Sequence, residues 1–155
     1  MYFMGGSIIL QLVTYGVLKT MSEKNQVHVG VGCWIFNPVG QILLGQRKSK
    51  HGINTWAPPG GKLEFGETPQ QCATRELYEE TGIIIPENKI YVISFTNDVF
   101  PDKHYITIHC RADNIIATPI IMEPDKCSQW KWFNFNKLPI PLFLPVVNLL
   151  KQKVL

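Results

Sequence analysis

The chain has 155 residues, of which 45% are hydrophobic, and its formal net charge is +3. This length and composition predict one domain with enough apolar side chains for a core of its own. The small positive charge comes from scattered lysines, so the composition argues against a nucleic-acid-binding groove and fits an anionic small molecule better.

Residues 1–20 begin with a long apolar run that carries no charge. No positive residue precedes this run, and Gln11, Thr14 and Gly16 interrupt it, so neither a signal peptide nor a membrane span is predicted. We expect residues 1–20 to be a dispensable extension and residues 21–155 to form the domain, without a membrane partner. The alternative is that the extension packs on the domain as an added strand or helix.

Two β-forming runs open the expected domain. They cover residues 27–36 and 41–44, and the sequence Asn-Pro-Val-Gly between them is typical of a turn, so together they predict a hairpin. A basic, glycine-containing loop follows over residues 46–55 and includes Arg47.

A helix is predicted to begin at Pro69. Thr68 is suited to cap it, proline is favoured in the first turn, and Gln71 completes a capping box with the threonine. Gly82 precedes an aliphatic run and is the expected left-handed residue at the end of the helix.

The remainder of the chain predicts three more strands and a second helix. The strands cover residues 89–96, 104–112 and 130–133, and the helix begins at about Val146 because prolines delay it. Strands interrupted by one helix and closed by another predict an α/β fold with a mixed sheet packed between helices.

The strand over residues 104–112 has two distinct faces. Tyr105, Thr107 and His109 alternate with apolar residues, so they share one face. We expect one face to join the core and the other to line a cleft.

Three carboxylates form a stripe on the first helix. Glu76, Glu79 and Glu80 fall within an arc of about 100°, where like charges repel and Arg75 offsets only part of the repulsion. A hard divalent cation such as Mg²⁺, which prefers oxygen ligands, would resolve this conflict. The alternative is a solvated acidic face, but the nearby Gly60–Gly61 turn can approach a phosphate or offer a carbonyl to a metal.

The spacing around this stripe resembles the Nudix box, GX5EX7REUXEEXGU with U aliphatic. Every fixed position is matched in this chain, by Gly61, Glu67, Arg75, Glu76, Leu77, Glu79, Glu80, Gly82 and Ile83. The resemblance extends over about residues 27–150 and implies the α/β/α sandwich of that family. It also implies hydrolysis of a nucleoside diphosphate linked to another group, with water attacking phosphorus.

The resemblance assigns roles to the residues of the box. It implies that Glu79, Glu80 and the Gly60 carbonyl hold Mg²⁺, for which Mn²⁺ could substitute. Glu76 would orient or deprotonate the attacking water and is counted among the metal ligands as well, while Arg75 positions it. Which carboxylate is the general base stays open.

Three further segments are similar to the MutT-type nucleoside triphosphate diphosphatases of the family. They are LLGQRKS, HYITI and EPDKCSQWKW. By this resemblance Arg47 contacts phosphate, and Thr107, His104 and the backbone near Ala57 meet the nucleotide. A solvated Arg47 and a purely structural His104 are the alternatives.

The favoured function is therefore a Mg²⁺-dependent nucleoside triphosphate diphosphatase with a nucleotide substrate. A nucleotide-sugar or ADP-ribose hydrolase is the alternative within enzymes. A nucleotide-binding regulator without turnover is the alternative outside them, and the intact box argues against it. The base and sugar are left open, as is a homodimer.

The cysteines are widely spaced and lack zinc-ligand spacing. Such thiols are expected to be reduced and packed as small hydrophobic side chains, with disulfides as the alternative because their number is even. Reduced thiols favour a cytoplasmic location. The four residues are Cys33, Cys72, Cys110 and Cys127.

Overall fold

The computed structural model describes residues 26–155, so the expected extension at residues 1–20 lies outside the described part. Residues 26–155 form two sheets and two α-helices. The strands are β1 (Val27–Ile35), β2 (Gln41–Arg47), β3 (Trp56–Ala57), β4 (Gly60–Lys62), β5 (Tyr91–Val99), β6 (His104–Ala112) and β7 (Cys127–Asn134). The helices are α1 (Pro69–Thr81) and α2 (Leu144–Gln152), and short 3₁₀ turns occupy Glu87–Lys89 and Phe135–Lys137.

The larger sheet is mixed, as the sequence predicts. Its strand order is β4-β1-β6-β5, and β1 runs parallel to β6 while β4 and β5 are antiparallel to their neighbours. In the parallel pair Gly30 lies opposite Thr107 and Gly32 lies opposite His109. This register places the polar face of β6 beside two residues that have no side chain.

The predicted hairpin between β1 and β2 is confirmed only at its turn, where the Asn37 N–H donates to the Gln41 carbonyl. β2 belongs to a second, antiparallel sheet of order β3-β2-β7, and an isolated bridge between Phe36 and Ile42 joins it to the end of β1. Both edges of β1 are already paired, with β4 and β6, so β2 has no free edge of β1 to join.

Helix α1 begins and ends where the sequence predicts. The Thr68 hydroxyl accepts from the Gln71 N–H at 3.1 Å, and the Gln71 side chain accepts from the Thr68 N–H at 3.0 Å. Gly82 closes the helix with φ 71°, a left-handed conformation that glycine adopts without steric cost. The caps therefore fix which residues of α1 face the sheet.

Strand β1 separates two apolar cores. Cys33 and Ile35 pack with Leu77 of α1, whereas Trp34 packs with Leu149 of α2 on the other side. The alternation of a strand thus supplies both cores, and the sheets lie between the helices.

The second helix and β5 differ in extent from the prediction. Helix α2 begins at Leu144 rather than near Val146, because Pro145 occupies its first turn, where a missing N–H costs nothing. Strand β5 continues to Val99, three residues beyond the predicted end at residue 96.

The cysteines confirm the expectation of packed thiols. All four are buried and none forms a disulfide. Burial raises the pKa of Cys110 to about 11, which keeps this thiol protonated at neutral pH.

Candidate active site

Arg75 organises a network of carboxylates along α1. Its Nε and Nη2 donate to the two oxygens of Glu67 at 2.6 and 2.9 Å, and its Nη1 donates to Oε1 of Glu76 at 2.7 Å. Nη1 also lies 3.3 Å from Oε2 of Glu79, and Nη2 donates to the Lys62 carbonyl at 3.1 Å. A guanidinium offers five donors in one rigid plane, so one arginine can orient several acceptors.

The same contacts explain the acidity of Glu67. Its hydrogen bonds from Arg75 lower its pKa to about 2, and the backbone N–H of Glu64 contributes as well. Glu67 therefore supports the loop before α1 and anchors the guanidinium that orients Glu76.

Glu80 lies at the interface between α1 and β4. Its Oε2 accepts from the Gly60 N–H at 3.0 Å. Burial nevertheless raises the pKa of Glu80 to about 8, and the negative charge of Glu76 adds to the rise. Burial also raises the pKa of Glu76, although Arg75 opposes the shift. A pair of poorly hydrated carboxylates side by side is an environment that favours a cation or protons.

The glycines of β4 are required by close contacts on both of its sides. A Cβ atom at Gly60 would overlap the Val31 carbonyl oxygen, and a Cβ atom at Gly61 would overlap the Glu76 carboxylate. Because neither residue carries a side chain, the backbone of β4 lies directly against the Val31 carbonyl on one side and the Glu76 carboxylate on the other.

Glu76, Glu80 and the Gly60–Gly61 backbone line one cavity of about 300 Å³, which we name the acidic cavity. Basic side chains also line it, namely Arg47, Lys62 and Lys126. Glu79 is not part of this wall, and its side chain is 48% exposed beside Arg75. The structure thus brings Glu76 and Glu80 together and leaves Glu79 at the rim.

A second cavity of about 230 Å³, the aromatic cavity, lies next to the first. His51, Phe100, Tyr105 and Phe143 contribute rings to its wall. The ring centroids of His51 and Phe100 are 4.3 Å apart, and the Phe100 and Phe143 rings stack at 5.6 Å. Such a wall suits a flat, aromatic ligand.

Arg47 and Ala57 line both cavities, as do Gly60 and Gly61. The Arg47 guanidinium lies 4.3 Å from the centroid of the Phe143 ring. Its Nε donates to the His51 carbonyl at 3.1 Å, so this predicted phosphate contact is held at the junction of the two cavities.

The other two predicted substrate contacts differ in position. Thr107 lines the aromatic cavity, in agreement with its predicted place on a cleft-facing strand. His104 lines neither cavity, and its Nε2 is hydrogen-bonded to Oδ1 of Asn97. The structure therefore does not bring His104 to the other candidate residues.

A buried polar chain behind Thr107 was missed by sequence reasoning. It runs from Trp34 through His109 and Thr96 to Asp98, which also contacts Thr107. Asp98 was missed because it follows the predicted end of the strand at residue 96, whereas the residue is 0% exposed in β5. The alternation of β6 did place His109 correctly on the face of Thr107.

Gly30 and Gly32 were also missed, although a glycine inside a strand often marks a close approach. A Cβ atom at Gly30 would lie 3.7 Å from the Thr107 hydroxyl oxygen, and one at Gly32 would lie 3.5 Å from His109 Nδ1. The missing side chains thus keep open the space beside Thr107 and His109.

Residues 26–155 lack two features that would suggest other functions. In this part of the chain no group of three or more His, Cys, Asp or Glu side chains is placed to hold a metal ion. Within the same residues no helix has the length and apolar character needed to cross a membrane.

Comparison with known sequences identifies a family and relatives. The NUDIX domain model matches residues 26–151. The oxidized purine nucleoside triphosphate hydrolase of Danio rerio is 36% identical over 102 residues, which span 64% of this chain and 62% of that protein. An RNA pyrophosphohydrolase of Roseobacter denitrificans is 42% identical over 120 residues, which span 66% of this chain and 73% of that protein.

Comparison with solved structures supports the same fold. The crystal structure of a MutT NUDIX hydrolase from Burkholderia pseudomallei matches with a TM-score of 0.74 and 26% identity. The match covers 84% of this chain and 99% of that one.

Proposed function

Because this chain belongs to the NUDIX hydrolase family, we propose that it hydrolyses nucleoside triphosphates to a nucleoside monophosphate and pyrophosphate, with Mg²⁺ as cofactor. The observation that carries the proposal is the shared wall of the acidic and aromatic cavities at Arg47, Ala57 and Gly60–Gly61. A nucleotide can place its base among the aromatic rings and its phosphates beside the carboxylates. The name of the Danio rerio relative supports a purine substrate.

The residues of the acidic cavity fit a divalent metal. Mg²⁺ is usually bound by one or two carboxylates, several waters and substrate phosphates, so a cluster of three acidic side chains is not required. Glu80 would supply a carboxylate to the ion and Glu76 a second one to its coordinated water, and the raised pKa of Glu80, about 8, reflects the cost of burying its charge without a full counter-charge. Gly60 directs its N–H to Glu80, and the carbonyl of a strand residue points to the same edge as its N–H.

We assign the ligands and the base on these contacts. Glu80 and the Gly60 carbonyl would hold the ion, with Mn²⁺ as a substitute, and Glu79 is retained as a third ligand that would have to leave Arg75. When bound, the metal neutralises charge on the phosphate oxygens and lowers the pKa of coordinated water. Arg75 occupies Oε1 of Glu76, so Oε2 is the atom that orients the attacking water and accepts its proton.

Two cations of this chain would position the phosphates. Arg47 donates from Nε to the His51 carbonyl and from Nη2 to the Ser49 hydroxyl, so the two hydrogens of Nη1 and the second hydrogen of Nη2 would donate to phosphate oxygens. Lys126 also lines the acidic cavity, and its Nζ lies 2.7 Å from Glu123. Lys126 would add a second positive charge at the phosphate end.

A second candidate function is removal of pyrophosphate from the 5′ end of RNA. The identity of 42% with the Roseobacter denitrificans RNA pyrophosphohydrolase favours it. The modest net charge of +3 favours a free nucleotide instead, because RNA binding usually requires a basic patch. Hydrolysis of a nucleotide sugar or ADP-ribose and binding without turnover are the remaining alternatives.

The test is a turnover panel in ¹⁸O-labelled water with Mg²⁺. The panel contains purine nucleoside triphosphates, ADP-ribose, a nucleotide sugar and a 5′-triphosphorylated RNA oligonucleotide. The proposal predicts monophosphate and pyrophosphate from the triphosphates and no turnover in EDTA, with Glu80→Gln as the control for contaminating phosphatases. If only RNA or only ADP-ribose were hydrolysed, that substrate would replace the nucleoside triphosphate in the proposed function. Binding without any turnover would support a nucleotide-binding regulator.

Location and assembly complete the proposal. The four buried thiols suit a reducing compartment, so we place the protein in the cytoplasm. A homodimer stays a proposal that sedimentation of the purified protein can test.

A further inference from the structure

In the buried polar chain behind the aromatic cavity, each hydrogen bond has a fixed donor and acceptor, and the first donor is Trp34. Trp34 Nε1 lies 3.0 Å from His109 Nδ1. An indole nitrogen can only donate, so His109 Nδ1 must accept, and the proton of the neutral imidazole is on Nε2. Burial lowers the pKa of His109 to about 4, which keeps the ring neutral at neutral pH.

The chain continues through Thr96 to Asp98. His109 Nε2 lies 3.0 Å from the Thr96 hydroxyl, whose oxygen therefore accepts a hydrogen bond from the Nε2–H group. The hydroxyl of Thr96 then donates its own hydrogen to Oδ2 of Asp98 at 2.8 Å. Asn148 donates from Nδ2 to Oδ1 of the same carboxylate, also at 2.8 Å.

Thr107 completes the chain at the wall of the cavity. Its hydroxyl donates to Oδ2 of Asp98 at 2.6 Å. A hydroxyl has one hydrogen to donate and two lone pairs. Because the hydrogen of Thr107 is taken by Asp98, the oxygen presents only an acceptor to the cavity. Both nitrogens of His109 are already paired, so that ring offers no competing donor.

We propose that Asp98 is a specificity-determining residue that fixes Thr107 Oγ1 as an acceptor, so that the aromatic cavity selects purine bases carrying an exocyclic amino group. This inference rests on the proposed function, since it concerns the nucleotide at the same site. Gly30 leaves the Thr107 hydroxyl uncovered, because a Cβ atom there would lie in van der Waals contact with the hydroxyl oxygen, at 3.7 Å. A site built to accept a hydrogen bond discriminates strongly against a ligand that lacks the donor.

Two pairs of substrates isolate the donor. ATP and purine riboside triphosphate differ by the 6-amino group, and GTP and inosine triphosphate differ by the 2-amino group. In at least one pair, wild-type kcat/KM should fall by about tenfold or more when the amino group is missing. If the wild-type kcat/KM values of the two substrates differ by less than about twofold in both pairs, the inference is overturned.

The variants test the assigned role of Asp98. In Asp98→Asn an amide nitrogen can donate to Thr107, which frees the hydroxyl hydrogen to point into the cavity. The preference for the amino-bearing substrate should then fall to within about threefold. A merely structural role would lower kcat/KM for both members of a pair alike and leave their ratio unchanged, and an unchanged ratio would overturn the inference.

Thr107 supplies an independent pair of variants in case Asp98→Asn does not fold. Thr107→Val keeps the shape of the side chain but removes the acceptor, so it should abolish the preference, while Thr107→Ser should retain it. If Thr107→Val kept the preference for the amino-bearing substrate, the inference would be overturned.

Binding separates this inference from the proposed function. If no nucleoside triphosphate is hydrolysed, the proposed function fails, and calorimetry with the monophosphates still compares AMP with purine riboside monophosphate and GMP with IMP. A preference in binding supports the inference without turnover, and equal affinities within both pairs overturn it.

Discussion

Gly61 and Glu76 lie so close together that a Cβ atom on the glycine would overlap the carboxylate group. The overlapped atoms are the end of a flexible side chain, so a larger residue at position 61 can be accommodated by rotation of Glu76. That rotation would break the 2.7 Å contact between Glu76 and Arg75. The position of the proposed base therefore depends on the absence of one methyl group.

We expect Gly61→Ala to lower kcat by about tenfold or more, equivalent to about 1.4 kcal/mol, while the protein still folds. The matched control is Gly40→Ala, since Gly40 has φ 77° and open space around a Cβ atom. Alanine at that position is strained by about 1–2 kcal/mol, so the control should melt at a lower temperature with unchanged kcat. Equal kcat values for the two variants would contradict the role of Gly61.

The parts of this structure that the sequence predicted depend on local signals. Thr68, Gln71 and Gly82 determine the ends of α1 through contacts within a few residues. The spacing of Glu76 and Glu80 then places both carboxylates on one side of the helix, and both line the acidic cavity.

The parts that were missed depend on distant contacts. The choice of β7 rather than β1 as a partner of β2 is set by the pairing of β1 with β4 and β6, which no local pattern encodes. The aromatic cavity joins His51 and Phe100 from loops with Phe143, which directly precedes α2. The burial of Asp98 likewise follows from donors on β6 and α2.

The stability of the metal-free protein should fall as the pH rises through neutrality. The pKa of Glu80 is about 8 in the folded state, against 4.5 for a free glutamate, because burial disfavours its charge. Between these values the folded state binds more protons than the unfolded state, so the free energy of unfolding decreases with pH. The expected slope from pH 7 to 8 is about 1 kcal/mol per pH unit.

Chemical denaturation in EDTA at pH 7 and pH 8 measures this slope. Glu80→Gln should remove most of it, and the difference between wild type and variant isolates Glu80 from other titrating groups. The pKa of His109 is lowered from 6.5 to about 4, so its contribution is lost as pH falls below 6.5 and lies outside this range. An equal slope in both proteins would show that Glu80 is already ionised.

Filling the space beside Thr107 should weaken nucleotide binding without unfolding the protein. A Cβ atom at Gly30 would make only ordinary contacts, at 3.6 Å or more, and a β-branched residue favours a strand. We therefore expect Gly30→Val to raise KM by about tenfold, or about 1.4 kcal/mol, with an equal or higher melting temperature. Val29→Thr is the control on the other face of β1 and should leave KM unchanged.

Deleting residues 1–20 should leave the melting temperature and kcat unchanged. The candidate site and every described strand and helix lie from Val27 onward. The two proteins can be compared by calorimetry and by turnover with the same substrate. A loss of several degrees in the melting temperature would show that residues 1–20 stabilise the domain or an oligomer.

The acidic residues of α1 should differ sharply in their importance for catalysis. Glu80 faces the acidic cavity and accepts from Gly60, whereas Glu79 is 48% exposed at the rim. Replacing either by glutamine keeps the helix propensity and removes one negative charge. For Glu80→Gln we expect kcat to fall by about a hundredfold or more, because loss of a metal contact in the transition state costs several kcal/mol.

Glu79→Gln tests whether the rim position is maintained during turnover. If Glu79 stays with Arg75, kcat should fall by less than about tenfold, and the stabilisation by Mg²⁺ should persist, since an exposed pair contributes about 0.2–1 kcal/mol. If Glu79 leaves Arg75 to become the third ligand, the variant should resemble Glu80→Gln in both turnover and Mg²⁺ stabilisation. Melting curves with and without Mg²⁺ distinguish the two outcomes without reference to activity. Near-normal turnover and undiminished Mg²⁺ stabilisation in Glu80→Gln would contradict the assignment of Glu80 as a ligand, whatever the result at Glu79.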